Sequence, residues 1–184
     1  MKKIFLSPLF ILGLLMRVWL IVTIAPLAVI DWYLPFLEFT TTNLTIDPWT
    51  AWLENGGTFE AFPYGYTMWI IFLPLMFCMK LADLPLQYGY DLTLLVVDIA
   101  FLLTLHFQLP GRQKLFLVTY WLSPIVLLAT YVLGLNDLIP ALFLTVSILF
   151  IRQKNFYLTG IFLLISISAK LSMILALPFF IIYL

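Results

Sequence analysis

Two acidic residues and one lysine stand where their charges could take part in chemistry. Asp47 precedes Pro48 in the longest polar stretch of the chain, Asp137 ends a short turn that contains a glycine, and Lys170 interrupts an apolar run. A positioned carboxylate can accept a proton from an attacking group, and an ammonium can stabilise a developing anion. These three residues are therefore the first candidates for a functional site.

Each candidate also has a structural interpretation, which the sequence leaves open. Pro48 fixes its own backbone and biases Asp47 toward an extended shape, so a short helix can begin at Pro48 with Asp47 as its cap. The carboxylate would then be held still at the membrane surface, or it would serve only as a cap. Asp137 is likewise either a second functional acid or a plain helix cap. Lys170 is either a functional cation or a buried charge that pairs with an acid.

The composition determines the class of protein that must position these residues. Hydrophobic residues make up 64% of the 184-residue chain and charged residues 10%, whereas a soluble domain has about 25% charged residues. There are too few charges to cover a water-facing surface, so we expect an integral membrane protein. The net charge of zero gives no indication of nucleic-acid binding. With one cysteine and one histidine, Cys78 and His106, we predict no disulfide and no metal site built on these residue types.

Hydrophobic runs predict an all-α, polytopic bundle of five or six spans that forms a single transmembrane domain over residues 1–184. Lys170 divides the last run, which is either one span with a surface segment or two short helices that meet near Lys170. We expect Arg17 and Asp98 to form a buried pair, since both lie roughly 13 Å from the inner face at 1.5 Å per residue. The candidate spans, of the roughly 17–25 residues that a bilayer requires, are Leu6–Ile30, Tyr88–Phe107, Leu115–Leu133, Leu138–Ile151 and Phe156–Leu184.

The charge distribution predicts the orientation. Lysine and arginine favour the cytoplasmic side, and the best arrangement has an interfacial or re-entrant segment at Tyr66–Met79 and a cytoplasmic N-terminus. Residues 31–65 then form an extracytoplasmic loop, on the same side as the Gly134–Asp137 turn. We expect the host membrane to be a bacterial inner membrane or an endoplasmic reticulum membrane. The basic residues placed inside are Lys2, Lys3, Arg112, Lys114, Arg152 and Lys154, with Lys80 outside.

The order of these features resembles the GT-C class of membrane glycosyltransferases, which use polyprenyl- or dolichyl-phosphate sugars and include mannosyltransferases. The resemblance lies in Asp47-Pro48-Trp49, Phe62-Pro63-Tyr64-Gly65, Gly134-Leu135-Asn136-Asp137, and the intramembrane Lys170. It implies an inverting transfer in which Asp47 is the catalytic base, Asp137 is a second acid, and Lys170 stabilises the departing phosphate. Tyr64, Trp49 and Asn136 would contact the substrate, and the acidic pair could hold a divalent cation.

The resemblance also implies the partners: a lipid-phosphate-linked sugar donor, membrane lipids and, for a half-enzyme, a partner subunit. Members of the class have more spans and a later outer loop, so we expect an N-terminal portion of such an enzyme, a half-enzyme with a partner, or a non-catalytic relative. The alternative function is a non-catalytic membrane subunit that scaffolds a partner. A transporter is the third hypothesis, suggested by the intramembrane charges Arg17, Asp98 and Lys170, although the sequence lacks the repeat typical of transporters.

Overall fold

The computed structural model describes residues 2–183, so Met1 and Leu184, the last residue of the fifth expected span, lie outside it. The described residues are helical and contain no strand, as the sequence predicts. The helices are α1 (Lys2–Phe5), α2 (Pro8–Thr23), α3 (Leu34–Thr42), α4 (Pro48–Glu54), α5 (Tyr66–Leu81), α6 (Leu86–Gln108), α7 (Gln113–Trp121), α8 (Pro124–Val132), α9 (Leu138–Arg152), α10 (Phe156–Ala169) and α11 (Leu177–Tyr183), with a π-helical turn Val29–Tyr33 before α3 and a 3-10 helix Leu171–Ala176 before α11.

The helices that could cross a membrane by length and composition are α6 and, if a bent pair is one span, α7 with α8. The bend between α7 and α8 is 44°. It falls at Leu122–Ser123, because Pro124 has no backbone N–H with which to continue the preceding helix. The expected span Leu115–Leu133 is therefore broken. The other long apolar helices have 14 to 16 residues, so the five or six spans stay a prediction.

Residues 31–65, expected to form an extracytoplasmic loop, contain the helices α3 and α4, and the position of this segment outside the membrane stays a prediction. Buried residues recur at helical spacing, with Tyr33, Phe36, Leu37 and Thr40 facing the core. The threonines at 40–42 suggested a loop, yet each hydroxyl bonds to a carbonyl three or four residues earlier and closes α3. Helix α4 follows after a short connection, and the stretch without helix is residues 55–65.

The segment expected to be interfacial or re-entrant is a continuous helix, α5, which passes through Pro74. A four-residue turn, residues 82–85, joins it to α6, and the two helices pack side by side. Phe72 of α5 stacks on Tyr90 of α6 with ring centroids 4.5 Å apart. At 16 residues, α5 is shorter than a full span.

Hydrogen bonds between helices give their directions. Helices α9 and α10 are antiparallel, since the Ser147 hydroxyl bonds to the Thr159 carbonyl and the Ser166 hydroxyl to the Pro140 carbonyl. Helices α6 and α9 run the same way, because Tyr90 near the start of α6 contacts Gly134 and the last residue of α6, Gln108, contacts Thr145. The exposed cations Arg112, Lys114, Arg152 and Lys154 therefore lie at one end of the bundle, opposite the Gly134–Asp137 turn and Lys170.

The predicted pair of Arg17 and Asp98 is confirmed, and both side chains are fully buried. Arg17 Nε lies 2.7 Å from Asp98 Oδ2, and the same carboxylate accepts hydrogen bonds from the hydroxyls of Tyr120 at 2.6 Å and Tyr131 at 2.8 Å. The guanidinium also stacks over the ring of Trp121, 3.6 Å from its centroid. This cluster ties α2 and α6 to the bent pair α7–α8.

Candidate functional site

The structure pairs two of the three candidate charges. Asp137 is the residue before α9, and Lys170 stands at the break after α10, where its extended backbone (φ −148°, ψ 117°) ends the helix. Lys170 Nζ and Asp137 Oδ1 form a salt bridge. The Asp137 carboxylate is thus directed to the lysine and makes no cap hydrogen bond to α9. The side chains of Lys170 and Asp137 are 30% and 49% exposed, so the pair is open to a ligand.

The break at Lys170 agrees with one of the two interpretations of the last apolar run, in which two short helices meet there. After Lys170 the chain continues as a 3-10 helix and α11, and Phe180 of α11 returns to pack near Ile151 and Leu163. Lys170 is therefore at the tip of a helical hairpin. Its pairing with an acid also agrees with the structural interpretation of this lysine, although the pair is half-exposed rather than buried.

The polar segment after α4 is joined to this hairpin at Gly65. A Cβ on Gly65 would overlap the carbonyl oxygen of Ser168, so the backbones touch there. The Thr67 hydroxyl donates to Ser168 Oγ at 2.9 Å. Because Ser168 is two residues from Lys170, the Phe62–Gly65 segment and the lysine lie in the same part of the molecule.

A series of aromatic rings connects the same segment to the Gly134–Asp137 turn. The hydroxyls of Tyr64 and Tyr33 are 3.0 Å apart, and the Tyr33 ring stacks on Tyr90 with centroids 5.8 Å apart. The Tyr90 hydroxyl in turn donates to the Gly134 carbonyl at 2.8 Å. Tyr33 and Tyr90 were not among the sequence candidates, although the helical spacing of apolar residues after Val29 was available as a signal that Tyr33 faces the core.

Asn136, predicted to bind substrate, is fully buried in the turn. Neither its amide nitrogen nor its amide oxygen has a hydrogen-bond partner among the described residues. Buried polar groups without partners are costly and call for an explanation. Asn136 is next to Asp137 in the chain, and its predicted contact with substrate stays a prediction.

Asp47 caps α4, as the Asp47-Pro48 sequence predicts. The Thr50 backbone N–H donates to Asp47 Oδ1 at 3.1 Å, and the Thr50 hydroxyl donates to Asp47 Oδ2 at 2.7 Å. These hydrogen bonds, that of the hydroxyl first, lower the pKa of the Asp47 carboxyl. The side chain is exposed. Asp47 is therefore an ionised, solvent-facing carboxylate at neutral pH, held in one orientation by Thr50.

An aromatic cavity of about 390 Å³ lies between Asp47 and the hairpin. Trp49, two residues from Asp47, forms part of its wall and donates its indole N–H to the Phe62 carbonyl at 3.0 Å. Tyr64 and Gly65 form another part, and Gly65 is the residue that touches Ser168. The full lining is Phe36, Trp49, Trp52, Leu53, Thr58, Phe59, Phe62, Pro63, Tyr64, Gly65 and Tyr66.

The structure thus brings together Asp137, Lys170 and, through the backbone and aromatic contacts, Tyr64. Asp47 and Trp49 are connected to this region through the wall of the aromatic cavity, which contains both Trp49 and Gly65. The chain matches no protein-family model, no curated protein and no solved structure. Among residues 2–183, no group of three or more histidine, cysteine, aspartate or glutamate side chains could hold a metal ion.

Proposed function

We propose that the protein is a membrane glycosyltransferase, which moves a sugar from a polyprenyl-phosphate-linked donor to an acceptor on the extracytoplasmic face. One observation carries the proposal: three segments far apart in the sequence converge on the Asp137–Lys170 pair. They are the Phe62–Gly65 segment, the Gly134–Asp137 turn and the break at Lys170. These are three of the four elements on which the resemblance to the GT-C class depends; the fourth is Asp47-Pro48-Trp49.

The proposed topology places the end that bears Arg112, Lys114, Arg152 and Lys154 in the cytoplasm, as the preference of basic residues requires. The site at the opposite end then faces outward, and the N-terminus is cytoplasmic. In this arrangement the protein is a multi-pass bundle of five or six spans. Several of these are short or broken, which is tolerated where helices pack against one another.

The proposed chemistry begins at Asp47. Its carboxylate takes the proton of the acceptor hydroxyl, the acceptor oxygen forms a bond to the anomeric carbon, and the bond from that carbon to the donor phosphate oxygen breaks. The sugar is transferred with inversion and the polyprenyl phosphate leaves with the electron pair. The hydrogen bonds from Thr50 support this role, since they orient the Asp47 carboxylate while the side chain stays exposed to an acceptor.

Lys170 supplies the charge that the leaving phosphate requires. Its ammonium has three donors, of which one is engaged by Asp137, so two can bind phosphate oxygens. Asp137 holds the ammonium in place through its salt bridge and is the second acidic residue of the proposed site. If a divalent cation takes part, it would bind through Asp137 and the donor phosphate, because Mg²⁺ is commonly held by one or two carboxylates together with substrate phosphates.

The test is sugar transfer by the full-length protein in lipid nanodiscs, with radiolabelled polyprenyl-phosphate mannose and polyprenyl-phosphate glucose as donors. Loss of a general base costs about 10²–10⁴ in rate, so Asp47→Asn should lose that much transfer. Asparagine caps helices about as well as aspartate, so α4 should stay folded. Glu60→Gln, a change at an exposed acid in the same outer segment, is the matched control and should transfer like wild type.

Full transfer by a folded Asp47→Asn variant would refute the catalytic role and leave Asp47 as a cap. A wild-type protein that transfers neither sugar, alone or with a co-purified partner subunit, would refute the proposal in favour of the non-catalytic subunit.

A further inference from the structure

The aromatic cavity beside α4 has walls whose polar atoms are already bonded within the protein. The indole N–H groups of Trp49 and Trp52 donate to the carbonyls of Phe62 and Thr58, at 3.0 and 2.9 Å. The Tyr66 hydroxyl donates to the Ile46 carbonyl at 2.9 Å, and the Tyr64 hydroxyl is bonded to that of Tyr33 at 3.0 Å.

These internal bonds decide what kind of occupant the cavity suits. A sugar ring brings several hydroxyls, and each of them loses hydrogen bonds to water unless the site replaces them. Here the four aromatic polar groups are engaged, and the exposed Thr58 is the lining side chain left to offer a hydroxyl. A hydrocarbon chain loses nothing on entry and gains contact with the faces of the rings. The cavity, at about 390 Å³, is in the size range of ligand pockets.

A cation lies close to one wall of the cavity. Gly65 lines the cavity and also touches Ser168, two residues before Lys170. The Lys170 side chain is 30% exposed, and its ammonium has two donors beyond the one bonded to Asp137. A molecule with a hydrocarbon chain and an anionic head fits this juxtaposition, with the chain among the rings and the head at the ammonium.

We infer that the aromatic cavity binds the phosphate-proximal isoprene units of a polyprenyl phosphate, with the phosphate at Lys170. The choice of an isoprenoid lipid depends on the proposed function, because that function requires a polyprenyl phosphate at this site. The cavity is then the feature that positions the lipid carrier, and Asp47, two residues before Trp49 of the wall, is left for the sugar side. The sugar itself is held outside the rings.

The experiment is photo-crosslinking of the full-length protein in nanodiscs with a diazirine-bearing farnesyl monophosphate, followed by mapping of the labelled peptide. Label should appear within residues 49–66. Thr58→Trp fills the cavity without removing an aromatic wall and should reduce labelling about tenfold, equivalent to about 1.4 kcal/mol of binding. Thr45→Trp adds the same side chain at an exposed position of the same segment outside the lining, and should label like wild type.

Two further comparisons test the contribution of the phosphate group and the preference for an isoprenoid over a phospholipid. The uncharged diazirine farnesol should label less than the monophosphate, and Lys170→Met should remove that difference. A diazirine phosphatidic acid should label the cavity weakly. Label outside residues 49–66, equal labelling of Thr58→Trp and wild type, or equal labelling by phosphatidic acid would overturn the inference.

Binding requires no turnover, so the two proposals can fail separately. A wild-type protein that transfers sugar but takes no label in the cavity would refute the inference and leave the proposed function standing. Labelling in the cavity without transfer of any sugar would support the lipid site and refute the proposed function.

Discussion

The Arg17–Asp98 cluster offers the sharpest test of how this chain holds its helices together. Asp98→Asn keeps the shape of the side chain but removes the charge that faces the Arg17 guanidinium, and both residues are fully buried. Breaking a buried ion pair on one side costs about 3–5 kcal/mol, because the other charge is left uncompensated. The carboxylate accepts three hydrogen bonds, from Arg17, Tyr120 and Tyr131. We therefore expect Asp98→Asn to lose about 4 kcal/mol of unfolding free energy.

Arg17→Met should cost less than Asp98→Asn. In Arg17→Met, the hydroxyls of Tyr120 and Tyr131 still donate to the Asp98 carboxylate. In Asp98→Asn, the Arg17 guanidinium keeps its hydrogen bonds to the Gly13 and Trp121 carbonyls and its contact with the Trp121 ring, but none of these partners is charged. The double variant should cost less than the sum of the two single variants by about 2 kcal/mol, since neither charge is then stranded. Tyr131→Phe should cost about 1.5–3 kcal/mol, the range for a hydrogen bond to a charged group.

The assay is equilibrium unfolding in mixed micelles, read by tryptophan fluorescence, with the four variants compared in one detergent mixture. Asp91→Asn is the control, because Asp91 is also buried on α6 but has an amide rather than a cation as its partner, with Gln87 Nε2 at 3.4 Å. It should change the unfolding free energy by less than about 1 kcal/mol. Additive single variants, or an Asp98→Asn effect no larger than that of Asp91→Asn, would refute the reasoning.

Two further predictions concern the site. Gly65→Ala should reduce transfer and cost about 1–3 kcal/mol of stability by overpacking, since its Cβ would overlap the Ser168 carbonyl. The control is Gly160→Ala, whose Cβ would meet nothing within 4 Å and which should be neutral in thermal-shift and transfer assays. Equal effects of the two variants would contradict the contact between Gly65 and Ser168. Thr50→Val removes the hydroxyl that lowers the pKa of Asp47, so the acidic limb of the pH–rate profile should move to higher pH. The stabilising effect of this bond is present above the unfolded pKa of about 3.9 and is lost as the pH falls through the lower folded pKa; an unmoved acidic limb would exclude Asp47 as the titrating base.

Several elements of the structure were predictable because their signals are local. The cap at Asp47 and the helix after it follow from Pro48 at the first helical position. The pairing of Arg17 with Asp98 follows from two unlike charges in apolar runs, which must find each other where no water can replace the partner. The helix through residues 34–42 is harder to predict, because threonine is common in loops but can also bond back to the helix carbonyls, as it does at Thr40, Thr41 and Thr42.

The sequence by itself determined that the described chain is helical, that its charges are few, and which charges must be paired. Periodicity, proline positions and the cost of an unpaired charge act on neighbouring residues or on the whole chain, so no tertiary detail is required. Tertiary structure decided that Gly65 meets Ser168, that Tyr33 lies between Tyr64 and Tyr90, and that Asp137 meets Lys170. These contacts join residues 31 to 103 positions apart. They are set by packing between helices, which local sequence signals do not specify.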